Sequence, residues 1–166
     1  MKSVIRKDEA AVSPVIATIL MVAITVVLAA VLYVMVSGLI TPVGGNKPLV
    51  TFAAVSQSNG NATFDIAGAT PIESASSYKV NLKVGTTTGV AIAMPTTGGN
   101  FANVVVGTTT YRVYWTDLAG ERNLNPGDSF RVTGNNIPLT AQTTFVFYLV
   151  WATDGSSVQS TTWTTA

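Results

Sequence analysis

No charged residue stands between Glu9 and Lys47. Within that interval, Val12 to Ile40 is interrupted only by Ser13, Pro14, Thr18, Thr25, Ser37 and Gly38. The run exceeds the roughly 20 apolar residues that a helix needs to cross a bilayer. Ser13-Pro14 predicts its start: serine is a preferred N-cap, and proline at the first helical position has no N–H to leave unpaired. Gly38, Pro42, Gly44 and Gly45 predict its end. A helix from Pro14 to Ile40 would be about 40 Å long at ~1.5 Å per residue. Its apolar side chains go all the way round, so lipid or other protein must cover every face.

Lys2, Arg6 and Lys7 precede the run, with Asp8 and Glu9 beside it. Basic residues ahead of a span favour a cytoplasmic N-terminus, with the remainder of the chain outside. A secretory signal peptide fits poorly, because its apolar region should be about 7–15 residues with small residues after it. Here the run is longer and the small pair Ala10-Ala11 comes before it. A plain single-pass anchor stays open on composition alone.

Beyond Gly45 the chain changes character. The apolar runs become short and rich in β-branched and aromatic residues, with Gly, Asn, Asp and Pro between them. Strands are predicted at 50–56, 62–66, 78–84, 90–94, 103–106, 110–116, 129–133, 143–151 and 157–163. In "SYKVNLKVG" Tyr78, Val80, Leu82 and Val84 alternate with Lys79, Asn81 and Lys83, as in a strand with one wet face. "TTYRVYWTD" alternates likewise around Tyr111, Val113 and Trp115. The fold class is therefore α+β: a long N-terminal apolar α-helix followed by an antiparallel β-sandwich, immunoglobulin-like in shape. A domain of about 120 residues can bury enough surface to fold without disulfides.

Chemistry finds little to use. Charged residues are 10% of the chain and the net charge is +1, so nothing marks an affinity for nucleic acid. Cysteine and histidine are both absent. That removes thiol nucleophiles, the commonest general base and the commonest zinc ligands. Asp128 in "NPGD" lacks a second carboxylate at ligand spacing. No metal, no other cofactor and no enzymatic activity are expected. Trp115, Trp151 and Trp163 read as core or interface residues before they read as a ligand surface. Val84-Gly85-Thr86-Thr87-Thr88 recurs as Val106-Gly107-Thr108-Thr109-Thr110, which reads as two similar hairpin turns or as hydroxyl-rich loops carrying O-linked sugars. Asn61-Ala62-Thr63 is an acceptor triplet for an N-linked glycan, with turn composition at Asn59-Gly60-Asn61.

"AAVSPVIATILMVAITVVLAAVLYVMV", residues 10 to 36, closely resembles the N-terminal segment of archaeal type IV pilins. The resemblance covers roughly the first 40 residues, and the family often has glycine where Ala17 stands. It implies a leader removed by a membrane-bound prepilin peptidase. Glu9-Ala10 fits the family's charged-then-small pattern, which puts the cut between Ala10 and Ala11, to within one residue. The implied layout is a cleaved leader (1–10), an apolar transmembrane and filament-core helix (11–41), a hinge (42–48) and a β-sandwich outer domain (49–166). Ala17, Ala23, Ala29 and Ala30 are small enough to let helices approach closely, and a charge at Ala23 or Leu28 would sit in the filament interior. The implied function is a structural subunit that self-associates into a helical, extracellular, adhesive filament. The precursor would first be inserted in the cell membrane. A membrane platform protein and an assembly ATPase are the further implied partners. Two alternatives remain: a membrane-anchored extracellular ligand-binding protein, and an archaellin of a motility filament. Archaellins typically begin the mature helix with glycines rather than Ser13-Pro14.

Overall fold

A run of β-branched and leucine residues becomes a helix here because in apolar surroundings a helix pairs the backbone within one segment. The computed structural model describes residues 14–40 and 47–166. The chain divides into two compact units, Met1–Val43 and Gly44–Ala166. The described part of the first is one helix, α1, Pro14–Ile40. The second is all β apart from a single 3-10 turn, Ala75–Ser77.

Eleven strands make up the β unit: β1 (Leu49–Phe52), β2 (Ser56–Ser58), β3 (Asn61–Thr70), β4 (Tyr78–Val84), β5 (Thr87–Thr88), β6 (Ile92–Ala93), β7 (Phe101–Val106), β8 (Thr109–Thr116), β9 (Ser129–Gly134), β10 (Thr144–Trp151) and β11 (Ser157–Thr164). One sheet has the order β1-β3-β9-β8-β7, with β2 also on β3; the other has β11-β10-β4-β5, with β6 also on β4. All the pairings are antiparallel. The result is an α+β chain whose β unit has a sandwich-like layout.

Period-two alternation decides which side chains fill the space between the sheets. On β4 Tyr78, Val80 and Leu82 are buried, whereas Lys79, Asn81 and Lys83 are half-exposed. On β8 Tyr111, Val113 and Trp115 point inward. Phe64 and Phe130 from the first sheet meet Phe147 from the second at 5.0 Å between ring centres in both cases. Tyr111 and Phe145 cross between the sheets edge-to-face at 5.7 Å. Phe145 also stacks on its cross-strand partner Trp163 at 5.6 Å. Each such ring contributes roughly 1.5–3 kcal/mol by burial, and each aromatic pair about 0.5–1.5 kcal/mol beyond that.

The repeated Val-Gly-Thr-Thr-Thr segments are hairpin turns. Val84 pairs with Thr87 and Val106 with Thr109, leaving two-residue loops Gly85-Thr86 and Gly107-Thr108. Both glycines have positive φ, 56° and 62°, as a loop with glycine first requires.

The strand boundaries differ from the sequence expectation in several places. The predicted strand 50–56 is two strands, β1 on Ile66–Thr70 of β3 and β2 on Asn61–Thr63, with 53–55 between them. β5 has no counterpart in the expectation, and β7 begins at Phe101 rather than at 103. Of the predicted strand 90–94, only Ile92–Ala93 pairs, against Val80 and Lys79 of β4. β3 is longer than the expected 62–66, because two partners share it: β9 along Ala62–Asp65 and β1 along Ile66–Thr70.

Tyr78 is fully buried, packs edge-to-face on Trp151 at 5.3 Å, and its hydroxyl has no hydrogen-bond partner among the described residues. Burial, with a smaller contribution from Glu73, pushes its pKa well up. A raised pKa means the folded state favours the neutral phenol. That preference is fully present below the ordinary tyrosine value of about 10 and is lost as pH rises beyond it. Tyr78→Phe should therefore be neutral to stabilising, by up to about 1–2 kcal/mol near neutral pH. It should also flatten the loss of stability above pH ~10. Denaturant melts of both proteins across that range test this. Destabilisation of the variant at neutral pH would show that the hydroxyl is partnered.

Candidate functional site

Every described side chain of α1, residues 14–37, is exposed to the surroundings. From Pro14 to Ser37 the helix is long and apolar enough to cross a membrane, by length and composition. Its polar groups are closed off internally. Thr18 and Thr25 donate their hydroxyls to the carbonyls of Val15 and Val22, each at 2.9 Å, and Ser37 donates to Val34 at 3.0 Å. These bonds use carbonyls three residues back, so none of these three hydroxyls needs a partner from outside the helix. Tyr33 is 74% exposed and lies about 30 Å along the axis from Pro14, roughly one hydrocarbon thickness. Tyrosine is favoured at that depth, where its ring stays apolar and its hydroxyl reaches water.

The proposed packing residues do not form one stripe. At 3.6 residues per turn, Ala23 and Ala30 share a face, seven residues apart. Ala17 and Leu28, eleven apart, share another, about 140° away. Pro14 is the first residue of α1. Ala10, Ala11 and Ser13 lie outside the described residues.

On the β unit, Asn61 opens β3 directly after the two-residue turn Asn59-Gly60, whose φ values are 50° and 72°. It stands beside the turn rather than in it, because Asn-Gly takes both positive-φ positions. Asn61 borders a cleft of about 440 Å³ on the outer face of the first sheet, together with Arg112, Tyr114, Arg131, Thr133 and Asn136. The strand periodicity carried half of this signal. With Tyr111, Val113, Trp115, Phe130 and Val132 facing inward, Arg112, Tyr114, Arg131 and Thr133 must face outward. What places them side by side is the register of β8 against β9, which the sequence does not print.

The remaining candidates are structural. Trp115, Trp151 and Trp163 are all buried in the core. The described residues contain no group of three or more acidic, histidine or cysteine side chains placed to hold a metal. Asp128 is the only buried charged residue among those described. Its carboxylate accepts from the backbone N–H of Leu118 and of Asn125, each at 3.0 Å. Its own N–H donates to Asn125 O at 3.2 Å, closing the Asn-Pro-Gly-Asp turn with Gly127 at φ 97°.

Residues 10–52 match the family model described as archaeal type IV pilin, N-terminal. The match covers about a quarter of the chain, taking in α1 and ending with β1. No curated protein matches the chain.

Asp128→Ala should lower the stability of the β unit by about 2–4 kcal/mol, because two charge-assisted bonds are lost and two amides left bare. Chelator should leave the wild-type melting midpoint where it is. A midpoint that falls with chelator would show that the carboxylate holds a cation instead.

Proposed function

We propose, from the premise that residues 10–52 are an archaeal type IV pilin N-terminal domain, that this chain is the subunit of an extracellular adhesive pilus. The family is a structural one, and the domain supports a filament subunit of the pilin and archaellin kind. The pilus reading rests on the finer features of the chain. The observation that carries it is α1 itself: apolar on every described face, with its threonine and serine hydroxyls bonded inside the helix and the Tyr33 hydroxyl as the group that reaches outward near one end. Such a surface can exchange lipid for copies of itself without stranding a polar group. Small residues on two faces support packing against more than one neighbour. Ser13-Pro14 ahead of the helix, in place of glycines, supports a pilus over an archaellum.

In this reading the precursor sits in the cell membrane with its N-terminus in the cytoplasm. A prepilin peptidase removes residues 1–10, cutting between Ala10 and Ala11. A platform protein and an assembly ATPase then drive the helix, 11–41, into the filament core. The segment 42–48 is the hinge, and 49–166 forms the outer sheath, with a glycan on Asn61. Subunits add by a rotation that never closes, which makes a fibre rather than a ring.

Two measurements on isolated filaments test this. The N-terminal peptide should begin at Ala11, and the subunit mass should exceed that of the unmodified mature chain. A start at Met1, or after Ile40, overturns the reading. Ala23→Glu should leave inserted, leader-cleaved subunit yet abolish filaments. In the membrane a lone charge costs about 2.5–3.5 kcal/mol on insertion scales and can snorkel. Buried and unpaired in a protein core it costs several kcal/mol with no such escape. Normal filaments carrying Ala23→Glu would reduce α1 to an anchor. Deletion should abolish surface attachment and spare swimming; the reverse would make the chain an archaellin.

A further inference from the structure

We propose that the cleft on the outer face of the first sheet is a binding site for an acidic saccharide, a sugar unit carrying a carboxylate or sulfate. The inference rests on the β unit alone and holds for either kind of filament.

The two guanidinium groups are the core of the argument. Arg112 is paired with Thr133 across β8 and β9, and Tyr114 with Arg131. Arg112 and Arg131 are therefore diagonal neighbours on one sheet face, about 7–8 Å apart at the backbone. Each is held by an aromatic ring. The Arg112 guanidinium lies 4.8 Å over Phe101, and that of Arg131 lies 4.6 Å over Tyr114. Arg112 also donates from Nη1 to Asn136 Oδ1 at 2.8 Å, and its Nε is buried without a partner. Neither arginine has an ion pair among the described residues, and no carboxylate lines the cleft. Positive charge has been collected and oriented, with the carboxylate of Asp65 on the neighbouring strand not in contact with either guanidinium.

The rest of the lining favours a sugar as the carrier of the anion. Thr133 and Asn136 supply a hydroxyl and an amide, each of which can donate and accept, as sugar hydroxyls require. The cleft's volume falls in the range of small-ligand sites. A protein partner would be expected to find buried apolar anchors at the centre of its footprint. Here Ile137 and Pro138 border the cleft but Ile137 is well exposed rather than buried, and the sheet face beside them presents two cations, Tyr114 and polar side chains. Because stacking already fixes both guanidinium planes, little side-chain entropy is lost when the ligand's acid is taken up.

The test uses the full-length, unglycosylated chain in detergent micelles and calorimetric titration with a galacturonic acid trimer. The trimer should bind, and its neutral methyl ester and an oligoglutamate peptide should each bind about tenfold more weakly or worse. Arg112→Gln and Arg131→Gln should each weaken trimer binding by about tenfold or more. Arg131→Lys keeps the charge but loses the fork and the stacking, and should weaken it several-fold. Lys83→Gln, on the opposite sheet, should change nothing. Absence of trimer binding overturns the proposal, as does trimer binding that Arg112→Gln and Arg131→Gln leave unchanged. Equal binding of oligoglutamate overturns it in favour of a protein partner.

Discussion

The constraint on which the rest depends is that α1 is apolar on every described face and has no covering of its own. Its threonine and serine hydroxyls, on Thr18, Thr25 and Ser37, are bonded to carbonyls within the helix, and the Tyr33 hydroxyl near one end is the polar group that reaches outward. Its apolar surface, exposed over residues 14–37, has to leave water. The hydrophobic effect does not discriminate between lipid and protein as the cover. Shape does: under the proposed filament reading, alanine at 17, 23 and 30 would let another helix come closer than a lipid chain packs, which is where the dispersion gain would lie.

The β unit solves the opposite problem. It closes its own core between two sheets, with Phe52, Phe64, Phe130 and Phe147 in mutual contact and Trp163 and Phe145 stacked beside them. No cysteine is available to staple it. Loop order comes instead from carboxylates: Asp128 binds the amides of Leu118 and Asn125, and Asp117 binds those of Gly120 and Arg122. Low charge content leaves few side chains for surface ion pairs, and the exposed sheet faces are mainly hydroxyls, amides and a few isolated cations.

Patterns that repeat at short range were legible in the sequence. The helix was visible because an uncharged run of that length has few other fates. β4 was visible to the residue, because Tyr78, Val80 and Leu82 alternate cleanly with lysine and asparagine. The Gly85 and Gly107 turns were visible through their repeat. What stayed hidden depends on which strand lies beside which. The break between β1 and β2 separates two stretches that pair with different parts of β3, and a two-residue strand such as β5 carries no periodic signal at all. The cleft was hidden for the same reason. Arg112 and Arg131 are 19 positions apart in the chain. Only the β8–β9 register makes them neighbours.

That register has an energetic consequence of its own. A lone arginine on a wet sheet face is mobile and interacts weakly with anything charged. Arg112 and Arg131 escape that state because a ring lies beneath each: Phe101 on the edge strand β7, and Tyr114 on β8. The two rings are themselves in contact, 5.2 Å apart. Phe101, left 42% exposed on an edge, would be a liability if bare. Covered by the Arg112 guanidinium, it becomes a support instead, and the charge that shields it faces outward. Two adjacent rows of side chains across β7, β8 and β9, Phe101-Tyr114-Arg131 and Asn103-Arg112-Thr133, thus blunt an apolar edge and present two ordered cations on the face of the domain that the core does not use.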